Sequence, residues 1–366
     1  MKQVCLLCDR TSPDGNLYCQ ETYCPAEMSP LILDYGEWFG DIEIVRLLVV
    51  LRSAAIYEVM HQKQRKYMKI AHPGEENKER LKREAEFLQA LARSKEKLPS
   101  LPTLLPPYAS TTIADDPYGK TMLRGHLLYF YLFEFIPGDT LREVLVKNPQ
   151  LWINHVGWIV VDTAAALNIL HRRGIYHCGL SPECLLVHFD EKHNTPHTLL
   201  LDLGIASPKD KLAAQWYPLW VPPSYTAPEL VPAENAVIAP DFRTDVHGLG
   251  VILYEMLVGE PVYTFKLRSD EDVYFSVLKN NRVAMNRVED VKIVAQIASQ
   301  AVSQRREDRQ ANAAELAEQM RKVVGEPPSR KTRRKLTMRS VMAAVLVLLG
   351  GAFFITLLIL LSELLR

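Results

Sequence analysis

With 366 residues, 48% of them hydrophobic, the chain has room for two or three domains of about 150 residues and enough apolar material for a core, which excludes wholesale disorder. Lys plus Arg equals Asp plus Glu at 43 each, so no global charge points to nucleic acid or an acidic partner, and any electrostatic signal is local. Six cysteines are few for this length, and four fall within the first 24 residues, a clustering that suits a metal site better than a disulfide framework.

That cluster opens the chain. Cys5, Cys8, Cys19 and Cys24 have the spacing C-x2-C-x10-C-x4-C, two close pairs separated by the turn-rich TSPDGN. Such pairs bring four thiolates round a tetrahedral Zn2+. Residues 1–30 hold little apolar material, so a structural Zn2+ would supply folding energy that a core does not. A zinc-ribbon-like segment is expected there. Lys2, Arg10, Tyr18 and Tyr23 are thin material for gripping bases, so protein contact or structural capping is expected rather than nucleic acid. MKQVCLLCDR has no basic start before an apolar stretch, so no signal peptide is expected.

Residues 40–325 read as one large folded unit, α+β in two lobes (about 40–136 and 137–325), because strands come early and helices late. Residues 42–71 carry β-rich apolar runs (IEIVRLLVVL, YEVM, YMKIA). NKERLKREAEFLQALARS follows with a helical pattern, Leu81, Phe87, Leu88 and Leu91 approximating one face. PSLPTLLPP reads as a connecting loop, and LLYFYLFEF as a buried strand closed by the turn IPGD. Beyond residue 150, VDTAAALNILHRRG, GLGVILYEMLVGE, VKIVAQIASQAV and AAELAEQMRKVV are helical patterns.

The chain then changes character. Residues 326–340 form a proline-containing basic linker with Arg330, Lys331, Arg333, Arg334, Lys335 and Arg339. Residues 341–361, VMAAVLVLLGGAFFITLLILL, carry no charge and match the ~20 apolar residues that span a bilayer. The basic flank should stay cytoplasmic, so a single-pass C-terminal tail anchor with the folded domains facing the cytoplasm is expected.

One stretch of the second lobe, IYHCGLSPECLL (residues 175–186), resembles the catalytic loop of the protein kinase family, H-R-D-L-x-x-x-N. The resemblance extends over nearly all of residues 40–325 and implies a bilobal protein-kinase-like fold. YMKI resembles the V-A-I-K strand and implies Lys69 as the lysine for the α and β phosphates of ATP, with Glu84 as its ion-pair partner. FEFIPGDTLREVL is similar to the hinge, which implies adenine near Glu134 to Ile136. LLLDLGIA resembles D-F-G and implies Asp202 as the Mg2+-binding aspartate. YTAPEL contains A-P-E; its Glu229 is expected to pair with Arg309, and Asp245 to support the catalytic loop from below.

The same resemblance exposes departures. His177 stands in the family frame, but Gly179 replaces the catalytic aspartate and Cys184 the metal-binding asparagine. Ser181 replaces a lysine expected to face the transferring phosphate, and Cys178 the arginine that pairs with a phosphorylated activation loop. A general base contributes about 10²–10⁴-fold, and a hard Mg2+ prefers oxygen to sulfur. The glycine-rich loop is missing too: matched on Val59, its glycines are Arg52, Ala54 and Tyr57. Arg52 could add charge over a nucleotide, and Tyr57 is expected to crowd its place. The two loop cysteines are read as small fillers of vacated positions rather than a redox or metal pair.

A degenerate pseudokinase, a membrane-anchored signalling or scaffolding protein, is therefore the expected function, with ATP and Mg2+ as ligands the family implies. An unconventional active serine/threonine kinase and a non-catalytic nucleotide sensor remain as alternatives. Protein partners are expected at the zinc ribbon or at the aromatic segment 215–225, whose Trp216, Tyr217, Trp220 and Tyr225 are of the kind enriched at interface hot spots, although such residues more often simply pack the segment onto the helical lobe.

Overall fold

Alternating apolar residues along 42–71 fold into three consecutive antiparallel strands in the structure of the chain, a computed structural model. It describes residues 33–94, 98–123, 125–203, 221–231, 240–264, 269–285 and 291–327, with the backbone of the short strands at 3–4, 11–12 and 207–208. Cys5, Cys8, Cys19 and Cys24, the aromatic residues Trp216, Tyr217 and Trp220, and the linker and apolar stretch from residue 328 on lie outside the described residues. All that follows belongs to the unit Met1–Pro327.

The first lobe is a seven-stranded antiparallel sheet. Strands β1 (Trp38–Phe39), β2 (Ile42–Val50), β3 (Ala54–His61) and β4 (Gln64–Ala71) run in chain order, and β7 (His126–Glu134) pairs with β4. The two-residue β5 (Leu104–Leu105), inside the stretch expected to be pure loop, and β6 (Gly119–Leu123) both pair with β7. Period-2 alternation splits the side chains between two faces. Ala55, Tyr57, Val59, Met68 and Ile70 pack with Phe39, Ile44 and Phe130 on one face. Ile56, Tyr67, Ala71, Tyr131 and Phe133 look the other way, into the core shared with helix α1 (Glu75–Arg93) and the second lobe. Lys69 lies in the same alternating set as Tyr67 and Ala71.

The second lobe holds α2 (Leu141–Lys147), α3 (Ile153–His171), α4 (Phe242–Val258), α5 (Asp270–Leu278), α6 (Lys292–Ala301) and α7 (Ala313–Val324). A small sheet of β8 (Asp139–Thr140), β10 (Leu185–Phe189) and β11 (Pro196–Leu200) covers one side, and β9 (Ile175–Tyr176) pairs with β12 (Ser207–Pro208). Thr140 and Glu143 form a capping box that starts α2 directly after the hinge. Helix α4 is buried almost throughout; Asp241 caps it and Gly259, at φ 88°, ends it.

The expected pair across this lobe is present: the Arg309 guanidinium grips Glu229 at 2.8 and 2.9 Å, with Nε donating to the Ser303 carbonyl at 2.7 Å. Beside it, His247 on α4 is fully buried, and neither ring nitrogen has a hydrogen-bond partner among the described residues. Burial, helped by the charge of Arg309, pushes its pKa down to about 3. An unfolded histidine titrates near ~6.5, so the unfolded chain takes up a proton below that pH while the folded chain does not. The contribution of this group is therefore fully present above pH ~6.5 and shrinks by ~1.4 kcal/mol per pH unit below it. We expect denaturant midpoints to fall between pH 7.5 and 5, and His247→Gln to shrink that acid loss by about 2 kcal/mol. An unchanged pH slope in the variant would contradict this.

Candidate functional site

Asp245, on buried α4, fixes the frame of the loop that follows β9. Its Oδ1 accepts the Cys178 N–H at 2.7 Å and its Oδ2 the His177 N–H at 2.8 Å, with His171 Nε2 also 2.8 Å from Oδ2. Cys178 sits at φ 57°, a left-handed conformation that a non-glycine residue holds only where its surroundings over-determine it. Gly179 donates its N–H to His177 Nδ1 at 3.2 Å, which leaves Nε2 as the protonated nitrogen, donating to the Asp202 carbonyl at 2.7 Å. Burial lowers the His177 pKa in spite of Asp245 and Asp202, consistent with this neutral tautomer. The loop thus hangs from Asp245, as the resemblance implies, and is tied as well to the backbone of Asp202.

Four charged side chains meet beside it, all nearly closed off from solvent: Lys69, Arg80, Glu84 and Asp202. Lys69 Nζ donates to Glu84 Oε2 at 2.6 Å and to Asp202 Oδ1. Arg80, one helical turn before Glu84 on α1, donates to the other oxygen, Asp202 Oδ2, at 2.7 Å. Tyr131, the β7 residue paired with Lys69, donates its hydroxyl to Glu84 Oε2 at 3.2 Å. Burial opposes ionisation of Asp202, yet Arg80 and Lys69 outweigh it and hold the carboxyl well below the usual range. Burial raises Glu84, against the pull of Lys69. Burial also works against the Lys69 ammonium, but Asp202 and Glu84 keep it charged. The face of α1 expected to be apolar therefore carries Arg80 and Glu84 among Leu81, Leu88 and Leu91, while Phe87 is only half-buried.

The departures from the family pattern have physical occupants. The position a Cβ would take at Gly179 lies 2.9 Å from Cγ2 of Val221, which is itself 1% exposed. A side chain at 179 therefore meets an aliphatic group that must move aside. Cys184 lies 3.4 Å from the Ser181 hydroxyl, 3.7 Å from the Gly179 carbonyl and 4.0 Å from Asp202 Oδ2. Burial, then the charge of Asp202, pushes its pKa up to about 12, and burial raises Cys178 as well. Both are protonated thiols filling space at neutral pH, as the filler reading expects, rather than nucleophiles or thiolate ligands.

The glycine-rich-loop assignment needs correction. Ile56, not Val59, stands opposite Lys69; Val59 is paired with Lys66, three residues earlier on β4. Arg52 does not lie over a nucleotide. It donates to Asp270 Oδ2 at 3.3 and 3.4 Å, at the start of α5 in the other lobe. Tyr57 does not crowd the nucleotide place, because period-2 alternation sends it to the opposite face, where its hydroxyl accepts the Leu33 N–H at 3.1 Å. Tyr67, two residues before Lys69 on β4, shares the Lys69 face instead. Fully buried, it packs against Phe133 and Phe135 at 5.3 and 5.1 Å between ring centroids. Its hydroxyl donates to the Ile136 carbonyl at 2.9 Å. Glu134 is exposed at the end of β7, its N–H donating to the Thr103 carbonyl at 2.9 Å.

Sequence reasoning missed Tyr67 and Arg80, though each left a signal. Tyr67 stands at the alanine of V-A-I-K, two residues before the lysine and so on the same face of the strand. Arg80 stands four residues before Glu84 on one helix face. No local signal announced Arg142, which donates to Glu183 at 2.7 Å and to Glu255 and Tyr225, three partners drawn from distant segments. Tyr225, the one aromatic of the segment 215–225 among the described residues, is 3% exposed and packs into the second lobe, the packing reading rather than the partner one.

The sequence pattern described as Protein kinase domain matches residues 53–343. The chain belongs to the protein kinase family. It is 32% identical over 152 residues to MAP kinase-interacting serine/threonine-protein kinase 1 of Xenopus tropicalis, a match covering 39% of this chain and 36% of that protein. It is 29% identical over 139 residues to serine/threonine-protein kinase PknB of Mycolicibacterium smegmatis, covering 37% and 21%. The chain therefore matches only about a fifth to just over a third of the length of these curated relatives. The solved PknI kinase domain of Mycobacterium tuberculosis, a double mutant, covers 80% of this chain and all of its own at a TM-score of 0.54 and 21% identity, a likeness of fold alone.

The charge cluster generates a stability prediction. Removing one partner of a buried ion pair strands the others and costs about 3–5 kcal/mol. Lys69→Met and Asp202→Asn should each lower the unfolding free energy of this kinase-family chain by that amount. Losses below about 1 kcal/mol would show that the cluster does not hold the lobes together.

Proposed function

We propose that the chain is a pseudokinase, a protein-kinase fold that acts as a signalling or scaffolding module through protein contacts rather than by transferring phosphate. The observation that carries this reading is the closed base position, where Gly179 offers no carboxylate and Val221 stands 2.9 Å from where a Cβ would be. Phosphoryl transfer relies on positioning and on charge stabilisation by metal ions, with a carboxylate accepting the substrate hydroxyl proton. Here the loop provides neither that carboxylate nor the oxygen ligand of an asparagine, since Cys184 is a neutral thiol. Neither does the site fit the ATP and Mg2+ that the family uses: Arg80 and Lys69 already occupy both oxygens of Asp202, and Tyr67 bonds the hinge carbonyl of Ile136.

The test is transfer from radiolabelled ATP by the full-length chain, with Mg2+ or Mn2+, to itself and to general protein substrates. No incorporation above that of a heat-treated control is expected. Incorporation that disappears in Asp202→Asn would overturn the reading in favour of an unconventional active serine/threonine kinase.

The setting we propose is the cytoplasmic face of a membrane, supported by the uncharged run at 341–361 behind the basic residues 330–339, with Zn2+ held by Cys5, Cys8, Cys19 and Cys24. The full-length chain should stay in the carbonate-resistant membrane fraction and leave it when 341–361 is deleted. Metal analysis should find about one zinc per chain, lost in Cys5→Ser/Cys8→Ser. A soluble full-length chain would remove the anchor, and a zinc-free one the ribbon.

A further inference from the structure

In the protein kinase family the adenine of ATP sits against the hinge, and a metal ion sits on the D-F-G aspartate. The resemblance puts these places at Glu134 to Ile136 and at Asp202. Both places are engaged by the chain's own side chains. We propose that Tyr67 and Arg80 are internal occupants of the adenine and metal places, so that the folded chain takes up neither ATP nor Mg2+ and keeps its lobes closed on itself.

The adenine place is filled from the sheet. Tyr67 projects from β4 on the same face as Lys69, in the aromatic cluster with Phe133 and Phe135, and is fully buried. Its hydroxyl bonds the Ile136 carbonyl at 2.9 Å, so a hinge acceptor is already spent. Ile56 on β3 and Leu186 on β10 are 0% and 1% exposed and belong, with Tyr67, to one continuous apolar core that crosses from lobe to lobe. A purine entering here would have to expel a packed ring and leave its phenol or the carbonyl unpaired, a double loss in a dry site.

The metal place is filled from α1. Arg80 donates to Asp202 Oδ2 at 2.7 Å while Lys69 holds Oδ1, so both carboxylate oxygens already face a cation. A divalent ion displacing Arg80 would leave a buried guanidinium beside it, two positive groups in a region of low dielectric. Mg2+ also demands several oxygen ligands, and next to Asp202 the loop presents the sulfur of Cys184 at 4.0 Å.

Two further ties hold the closed arrangement. Arg52, at the turn between β2 and β3, reaches Asp270 in the second lobe at 3.3 Å. Arg46 on β2 donates to the Gly138 carbonyl at 3.1 Å, just past the hinge. A Cβ at Gly138 would stand 2.6 Å from the Val187 carbonyl, so only glycine lets the hinge lie this close to β10. The strands that cover the phosphates in a working kinase are here tied down without a nucleotide. Binding of a partner by this fold would then not depend on ATP.

Thermal unfolding of the full-length wild-type chain, with ~1 mM ATP and with or without Mg2+, is the first arm; ligand well above its Kd would raise the midpoint by several degrees. No shift is expected, and an ATP acyl-phosphate probe should leave Lys69 unlabelled. A shift, or labelling of Lys69 that free ATP competes away, overturns the inference and needs no variant. The second arm is gain of function: Tyr67→Ala, which restores the family's residue, combined with Arg80→Gln, should acquire a Mg2+-dependent ATP shift that Tyr67→Phe lacks. A double variant with wild-type circular dichroism and no ATP shift also overturns it. Nucleotide binding without phosphate transfer would sink this inference and leave the proposed pseudokinase reading standing, whereas phosphate transfer would sink both.

Discussion

Asp202 is the point on which the architecture turns. Its two carboxylate oxygens hold Lys69 of β4 and Arg80 of α1, and its backbone carbonyl holds the ring of His177. One residue therefore couples the sheet of the first lobe, its helix and the loop of the second. These groups carry opposite charges that would each be costly to bury alone. Together they satisfy one another, and the low dielectric that penalises a lone charge strengthens the attraction between paired ones.

Around this junction the frame of a kinase persists while its reactive positions have been filled by ordinary packing. Asp245 carries the loop from below, and the buried Arg309 clamps the half-buried Glu229 with a bidentate grip. Arg142 joins α2, the loop residue Glu183, α4 and Tyr225 into a second buried polar network. Such networks fix orientation, since leaving any member unsatisfied is expensive. None of them requires a nucleotide. The positions that would touch phosphate and metal carry instead a glycine under Val221, a neutral thiol and an arginine.

Much of this was legible one motif at a time. Lys69, Glu84, His177, Asp202, Glu229, Asp245 and Arg309 were readable because each belongs to a short pattern at a characteristic place in chain order, and the structure brings together every pair those patterns imply. The glycine-rich loop was misread because its landmarks had changed: without glycines, Val59 was a false anchor, and ladder pairing sets Ile56 opposite Lys69. A slip of three residues along a strand reverses which face a side chain occupies, so the misalignment turned Tyr57 toward the nucleotide side, whereas its hydroxyl meets Leu33 on the opposite face. Arg80 was hidden for a different reason. A helical arginine with acidic neighbours reads as surface charge until the partner that buries it is known, and that partner, Asp202, lies 122 residues away.

The sequence by itself determined the family, the two-lobe order of strands and helices, and the loss of the base and the asparagine, because these depend on residue identity at fixed spacing. Which side chains stand in the vacated places was decided only by the tertiary structure. That outcome rests on strand register, on the face each residue shows and on contacts between segments more than a hundred residues apart, as with Arg80 and Asp202 or Arg52 and Asp270. Spacing along a chain constrains neighbours within a helix turn or across a hairpin, but the closing of one lobe on the other is set by burial and charge pairing over the whole core.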